Sequence, residues 1–404
     1  MADKTYTPSE EILDRYADVL VNFALNSGEG IKKGEVVFLQ VSESAKPMLI
    51  ALRRAVLKAG AYPIINYLPD DISKEYYEIA NYEQLNFFPE KYLKGKIEQA
   101  HHFVSIISDT NKYELKDVDP KKIMIKSKAF KPYMDWKTDK ENRGELTWTL
   151  GLYGTEAMAK EANLTLEEYW EQIIKACQLD HESPVSKWKE IMAEVERVKN
   201  NLNEMNIKKL RIKSEDTDLI VGIGKNREWM GGSGRNIPSF EIFISPDWRQ
   251  TEGYAKFNQP LYRYGNLIEG IYLEFKNGKV VRAKAEKGEE LLKEMIATDE
   301  GSDKIGEFSL TDSRLSRIEK FMAETLFDEN IGGEHGNMHI ALGSAYKDSY
   351  PGDLSNMSEE QWKEMGYNDS VVHTDIVSTK NREVSAELEN GTEIIIYKDG
   401  KFTI

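Results

Sequence analysis

Sulfur and imidazole are the scarce chemistries of this chain. One cysteine, Cys177, stands among 404 residues, so no internal disulfide can form and a thiolate metal cluster is excluded. Cys177 closes the helical pattern LTLEEYWEQIIKAC, where a buried structural thiol is expected rather than a nucleophile. Long apolar runs are missing too. No stretch approaches the length of a membrane span, and the first residues, MADKTYTPSEEIL, carry no apolar core of a signal peptide. A cytoplasmic soluble protein is the expectation. Positive charge is in deficit, with a net charge of −15, which argues against nucleic acid or an anionic membrane as partner. No internal repeat or low-complexity tract is visible. Histidine numbers only six, and that makes its placement informative.

A chain of this length is long for one hydrophobic core, so two domains are expected. The boundary is placed near residue 205, giving 1–204 and 205–404. The first domain alternates helices and strands: a helix over about 8–26 with Ser9 as N-cap, a strand at 34–42, and a helix at 46–60 stopped by Gly60. Strands follow at 61–68 and 101–108. Strand–helix–strand order with apolar strands predicts an α/β layer with a largely parallel sheet. His101 and His102 open the third strand on opposite faces, so a structural role is expected for them rather than a shared metal. A helical section covers about 164–203, broken near Pro184. Beyond it, strands at 208–214, 217–224 and 239–245 lead into a hairpin at 268–288 with Asn277-Gly278 at its turn. Asn390-Gly391 and Asp399-Gly400 repeat the device. The second domain therefore reads as mainly antiparallel α+β, with helices near 286–297 and 312–326.

Two histidines fall within FDENIGGEHGNMHIALGSAY (327–346), together with Asp328, Glu329, Glu334 and Tyr346. A third lies in His373-Thr374-Asp375, whose two outer side chains share a face on an extended segment. Imidazoles and carboxylates gathered in this way suit a metal site. Taken singly, each residue has a plainer reading: His339 as a satisfied core histidine, His373 and Asp375 as a hydrogen-bonded pair, Tyr346 as a core tyrosine. Glu241 lies in the apolar strand NIPSFEIFISP with Phe243 and Ser245 on the same face, and a half-buried acid there needs a partner. Glu307, in DKIGEFSLTD, is by itself an exposed acid. The glycine-rich GIGKNREWMGGSG (222–234) lacks the spacing of a dinucleotide or phosphate loop and reads as a connection between strands.

As an ordered set these pieces resemble the thermophilic aminopeptidase family, dinuclear metallopeptidases of the aminopeptidase T and S type. RNIPSFEIFISP is similar to the family's strand with a Glu ligand, here Glu241. IGEFSL is similar to the segment of the bridging Glu, here Glu307. FDEN followed by HIALGSAY matches the acid-then-histidine block, with ligands at Glu329 and His339. VVHTD matches the final pair, His373 and Asp375. The link from acid to histidine is longer than is common in the family, and it contains Glu334 and His335. The motif favours Glu329 as the ligand, while distance to His339 allows Glu334. The resemblance implies two divalent ions (zinc, cobalt or manganese), a hydroxide held between them, and removal of the N-terminal residue from peptides. It assigns Tyr346 to the oxyanion and implies a homodimer. Two other readings stay open: another dinuclear hydrolase such as a phosphoesterase, which the small number of histidines disfavours, and a non-catalytic relative that binds peptide or metal.

Overall fold

The computed structural model describes residues 6–263, 266–354 and 357–404. The chain divides into two compact units: Met1–Lys189 with Ser233–Ile237, and Glu190–Gly232 with Pro238–Ile404. The division falls inside one helix rather than near residue 205, and a short return segment joins the first unit.

The first unit is built on a four-stranded sheet in the order β2-β1-β3-β4, with every pairing parallel. In chain order it comprises α1 (Glu10–Asn22), β1 (Val36–Ser42), α2 (Lys46–Lys58), β2 (Tyr62–Leu68), α3 (Ser73–Ile79), α4 (Tyr82–Asn86) and α5 (Glu90–Gln99). β3 (His102–Ile107), α6 (Pro120–Asn142), β4 (Thr147–Leu152), α7 (Glu156–Glu161) and α8 (Leu166–Ala176) follow, and α9 (Pro184–Glu204) begins here. Ser9 caps α1 by accepting from the Ile12 amide, as its sequence position predicts. The central strands β1 and β3 bury near-continuous apolar runs, as a covered parallel sheet requires. His102 lies buried between Glu35 and Thr147, its ring nitrogens 2.7 and 2.8 Å from their oxygens. His101 accepts the Val36 amide. Both histidines are structural, and Cys177 is a free, buried thiol that burial pushes up to about 12.

The second unit holds two large antiparallel sheets and a two-stranded antiparallel ribbon. Its strands are β5 (Ile207–Lys213), β6 (Asp218–Gly222), β7 (Met230–Gly231), β8 (Glu241–Ile244), β9 (Thr251–Phe257), β10 (Leu261–Arg263), β11 (Asn266–Ile268), β12 (Ile271–Lys276) and β13 (Lys279–Lys284). After α10 (Glu289–Ile296) come β14 (Ile305–Thr311), α11 (Thr325–Asp328), β15 (Asn337–Gly343), α12 (Glu359–Glu364), β16 (His373–Ser378), β17 (Glu383–Leu388), β18 (Glu393–Lys398) and β19 (Lys401–Phe402). The larger sheet runs β13-β12-β9-β6-β5-β17-β18-β19, the smaller runs β16-β15-β14-β8-β7, and the ribbon is β10-β11. Asn277-Gly278 and Asp399-Gly400 both have positive φ at each residue, the geometry of the tight hairpin turns read from the sequence. The buried Tyr397 hydroxyl, on β18, donates to the Thr311 carbonyl on β14 and so ties one sheet to the other.

One expected helix is absent. Residues 312–324 form turns, and only Thr325–Asp328 is helical. The Asp312 carboxylate accepts from the Arg314 and Phe402 amides and pairs with the Arg314 guanidinium. Asp328 accepts from the Met322 and Glu324 amides. Side-chain oxygens thus take the backbone donors that a helix would have used for itself.

Candidate metal centre

The smaller sheet has two unlike faces, and strand register decides which residues share each. Thr311 on β14 pairs with Glu241 on β8, and Ser309 pairs with Phe243. Across the other edge of β14, Ser309 pairs with His339 and Glu307 with Ala341. Beyond β15, Asp375 pairs with Ala341 and His373 with Gly343. With side chains alternating along each strand, Glu241, Glu307, His339, His373 and Asp375 all project from one face. The opposite face presents Ile242, Ile244, Phe308, Leu310, Met338, Ile340 and Ile376, all buried, and it anchors the sheet in the core. The small residues Ser309, Ala341 and Gly343 keep the polar face open between the larger side chains.

A bulge aims Glu307. Ile305 faces Leu342 and Glu307 faces Ala341, so Gly306 is an extra residue in β14. A Cβ on Gly306 would lie 2.4 Å from the carbonyl oxygens of Gly343 and Ser344, so only glycine fits there.

Two groups of ligand atoms result, each with members within 4.8 Å of one another: Glu241, Glu307 and His339, and Glu307, His373 and Asp375. Glu307 belongs to both. Its Oε1 lies 3.3 Å from His339 Nε2, and its Oε2 lies 3.3 Å from His373 Nε2. Glu241 and Asp375 approach the same two nitrogens, also at 3.3 Å. His373 Nδ1 is 2.8 Å from the Ser344 carbonyl oxygen, to which it donates, leaving Nε2 as the free electron pair.

Glu329 follows α11 and is buried. The neighbouring asparagines hold its segment: Asn330 accepts the Phe240 amide through Oδ1, and Asn337 donates to the Glu329 carbonyl. Glu334 is placed elsewhere. Its side chain is 87% exposed and lies 3.8 Å from His335, and neither it nor Glu329 belongs to the two ligand groups. Asp328 is occupied as a turn anchor. Tyr346, 44% exposed, stacks obliquely on Phe243 and His373 at ring separations of 5.7 and 4.7 Å. Its amide donates to Ser245 Oγ.

Electrostatics mark the cluster as short of positive charge. Burial acts to raise all four carboxylates. At Glu241 it is reinforced by Glu307 and Asp375, and at Glu329 by Glu241 and Asp375, so both remain raised, Glu329 by far the more. Glu307 and Asp375 stay below their usual range because the imidazoles outweigh burial, His339 and His373 at Glu307 and chiefly His373 at Asp375. Burial alone would lower the two histidines. The carboxylates around them overcome it and raise both well above 6.5. Tyr346 is raised well above 10, first by burial and then by Glu307 and Asp375.

The residues fit divalent cations. Buried carboxylates are retained only where cations compensate them, and two imidazoles do not balance four acids. The hydroxyls of Ser309 and Thr311 and the Nδ1 of His339 are buried on this same face with no hydrogen-bond partner among the described residues, a further sign of a group beyond the protein atoms. Sequence inspection missed the Ser344 carbonyl, Asn330, Asn337 and Arg263, whose charge helps to lower Asp375. Ser344 and the two asparagines lie within the histidine-bearing stretch 327–346, whereas Arg263 lies outside it.

The chain is similar to several known proteins. Aminopeptidase AmpS of Bacillus subtilis is 29% identical, over 96% of this chain and 98% of its own length. Aminopeptidase T of Thermus thermophilus is 27% identical, over 96% and 99%. The solved structure of wild-type AmpT from Thermus thermophilus superposes with a TM-score of 0.84 at 24% identity, covering 98% of this chain and all of that one, which shows a common fold. The family model for thermophilic metalloproteases matches residues 9–402, and the chain belongs to that family, M29.

Proposed function

We propose that this protein is a metal-dependent aminopeptidase whose centre holds two divalent ions, with Glu307 shared between them. The observation that carries the reading is the membership of Glu307 in both ligand groups. Glu241 and His339 complete one site, and His373 and Asp375 the other. Glu329 is assigned as a further ligand in preference to Glu334, because it is buried and electrostatically joined to the cluster. Four carboxylates and two neutral imidazoles would balance two dications, and mixed oxygen and nitrogen donors suit zinc, cobalt or manganese better than calcium. When bound, such ions activate a water and polarise a carbonyl. The chain's own residues orient the reaction. Ser344 fixes the His373 ring, Glu307 holds the two sites in register, and Tyr346 offers a phenol to the developing oxyanion. Burial first, and then the surrounding carboxylates, raise the Tyr346 phenol above its usual value, which favours its donor form.

The substrate is a peptide with a free N-terminus, an assignment supported by the names of the relatives. A homodimer follows from the family resemblance. It is supported by β2, an edge strand that exposes Tyr62, Ile64, Ile65, Tyr67 and Leu68. Uncovered apolar edges of this kind invite pairing with a second copy. A cytoplasmic location belongs to the same proposal. No helix among the described residues is long and apolar enough to cross a membrane.

Release of p-nitroaniline from aminoacyl-p-nitroanilides tests the activity. Hydrolysis should disappear with a chelator and return with Co²⁺ or Zn²⁺. Absence of any chelator-sensitive release would remove the assignment.

A further inference from the structure

The two ligand groups are not supported equally. Glu241, Glu307 and His339 stand on β8, β14 and β15, each flanked by strands on both sides. His373 is the first residue of β16, which is the edge of the sheet and is paired on one side only. The residue two before it, Val371, is 81% exposed. A strand start in that position would fray, and a ring carried on it would lose its aim.

Arg263 donates to the His373 carbonyl at 3.4 Å, and two further side chains outside the metal cluster tie down the residues before it. The Asp299 carboxylate accepts from Ser370 Oγ at 2.9 Å and from the Val371 amide at 2.7 Å. It is itself held by the Gly301 amide and Ser302 Oγ, both at 2.8 Å. Ser370 Oγ in turn accepts the Val372 amide at 3.2 Å. The buried Asn368 amide group donates to the carbonyls of Gly301, at 2.8 Å, and Gly343, at 2.5 Å. Next to Gly343, Ser344 donates its amide to the Val372 carbonyl and receives His373 Nδ1 on its own carbonyl. The chain of bonds therefore runs from Asp299 and Asn368, through backbone, to the far side of the His373 ring. Neither residue belongs to a ligand group, and neither was singled out by the sequence.

We infer that Asp299 and Asn368 are positioning residues that set the affinity of one of the two ions, the one held by Glu307, His373 and Asp375, without touching it. This rests on the dinuclear reading above. The orientation of a histidine ligand by the partner of its other nitrogen is worth about 10–100-fold in metal affinity. Here the partner is a backbone carbonyl, so its own placement decides the effect. Asp299→Ala removes four acceptor contacts at once. Ser370→Ala removes the Ser370 hydroxyl bonds to Asp299 and from the Val372 amide and keeps the Val371 amide on Asp299. Asn368→Asp keeps the shape of the side chain but replaces the donor group with an acceptor facing two carbonyls.

The experiment is a titration of chelator-treated protein with Co²⁺, followed by visible absorption and calorimetry. Wild type should bind two ions in separable steps. In Asp299→Ala and Asn368→Asp one step should weaken about 10–100-fold while the other keeps its affinity. Ser370→Ala should show a smaller loss in the same step, and it carries the test where Asp299→Ala does not fold. The melting temperature of metal-free Ser370→Ala should match that of metal-free wild type, which separates aim from general stability. Two unchanged steps, or equal weakening of both, would overturn the inference while leaving the dinuclear centre intact. A wild-type protein that binds no Co²⁺ would overturn the dinuclear reading itself.

Discussion

Replacing Glu307 by glutamine is the most demanding perturbation of the site, because this carboxylate is the only member common to both ligand groups. The side chain keeps its shape and stays in a pocket where Glu307 is 3% exposed, so the fold should be unaffected by circular dichroism. What changes is charge and donor type. One full negative charge is lost from between the two sites, and an NH₂ group replaces one of the oxygens now 3.3 Å from His339 and His373 Nε2. A unit charge acting over 4 Å at an effective dielectric constant of 20 is worth about 4 kcal/mol, which is roughly a thousandfold in binding. Activity on an aminoacyl-p-nitroanilide should therefore fall by about 10³ or more at limiting metal, and calorimetry should show two bound ions reduced to one or none. Glu334→Gln is the control: that side chain is solvent-exposed beside His335, and the variant should match wild type. A fully active Glu307→Gln, or a Glu334→Gln as damaged as Glu307→Gln, would refute the geometry.

Tyr346→Phe should lower kcat by about 10²–10³ with little change in KM, as loss of one oxyanion donor does; an unchanged kcat in steady-state assays would reassign the phenol. Gly306→Ala should weaken metal binding and stability together, because its Cβ would lie 2.4 Å from the Gly343 and Ser344 carbonyl oxygens, and equilibrium unfolding with and without metal measures both. In the first unit, His102 is lowered below 6.5, chiefly by burial, and Glu35 below 4.5, where hydrogen bonds from Lys32 and His102 outweigh burial. Both shifts act in one direction: the stability they contribute is present above pH 6.5 and is lost as pH falls, first through the range of His102 and then through that of Glu35. Thermal unfolding of His102→Gln should show a flatter profile below pH 6.5 than wild type. Ile65→Lys, at the centre of exposed β2, should shift a dimer toward monomer in light scattering without loss of secondary structure.

Much of the fold was legible because it is written in local patterns. The apolar strands separated by helices implied the parallel sheet, Asn-Gly and Asp-Gly marked hairpins, and Ser9 and Gly60 marked helix ends. The region 312–324 misled because its apolar spacing is helical, while Asp312 and Asp328 capture the backbone amides through contacts that reach as far as Phe402. Helices α3–α7 and α12 and strand β4 were not read at all, and α6 has no fully buried residue to impose a period.

The site divides in the same way. The sequence by itself determined which residue types were available: a few histidines, placed beside acids, with His373 and Asp375 obliged to share a face by the two-residue period of a strand. It also determined that no thiolate cluster could form. Only the tertiary structure decided how the pieces combine. Antiparallel register brings Glu241, Glu307, His339 and Asp375 onto one face from four strands distant in the chain, and the extra residue at Gly306 sets the aim of Glu307. The choice between Glu329 and Glu334 was likewise out of reach of spacing. The fold buries Glu329 and leaves Glu334 exposed, and the asparagines that hold the turn after α11 bond to Phe240 and to the Glu329 carbonyl, contacts that exist only once the strands have paired.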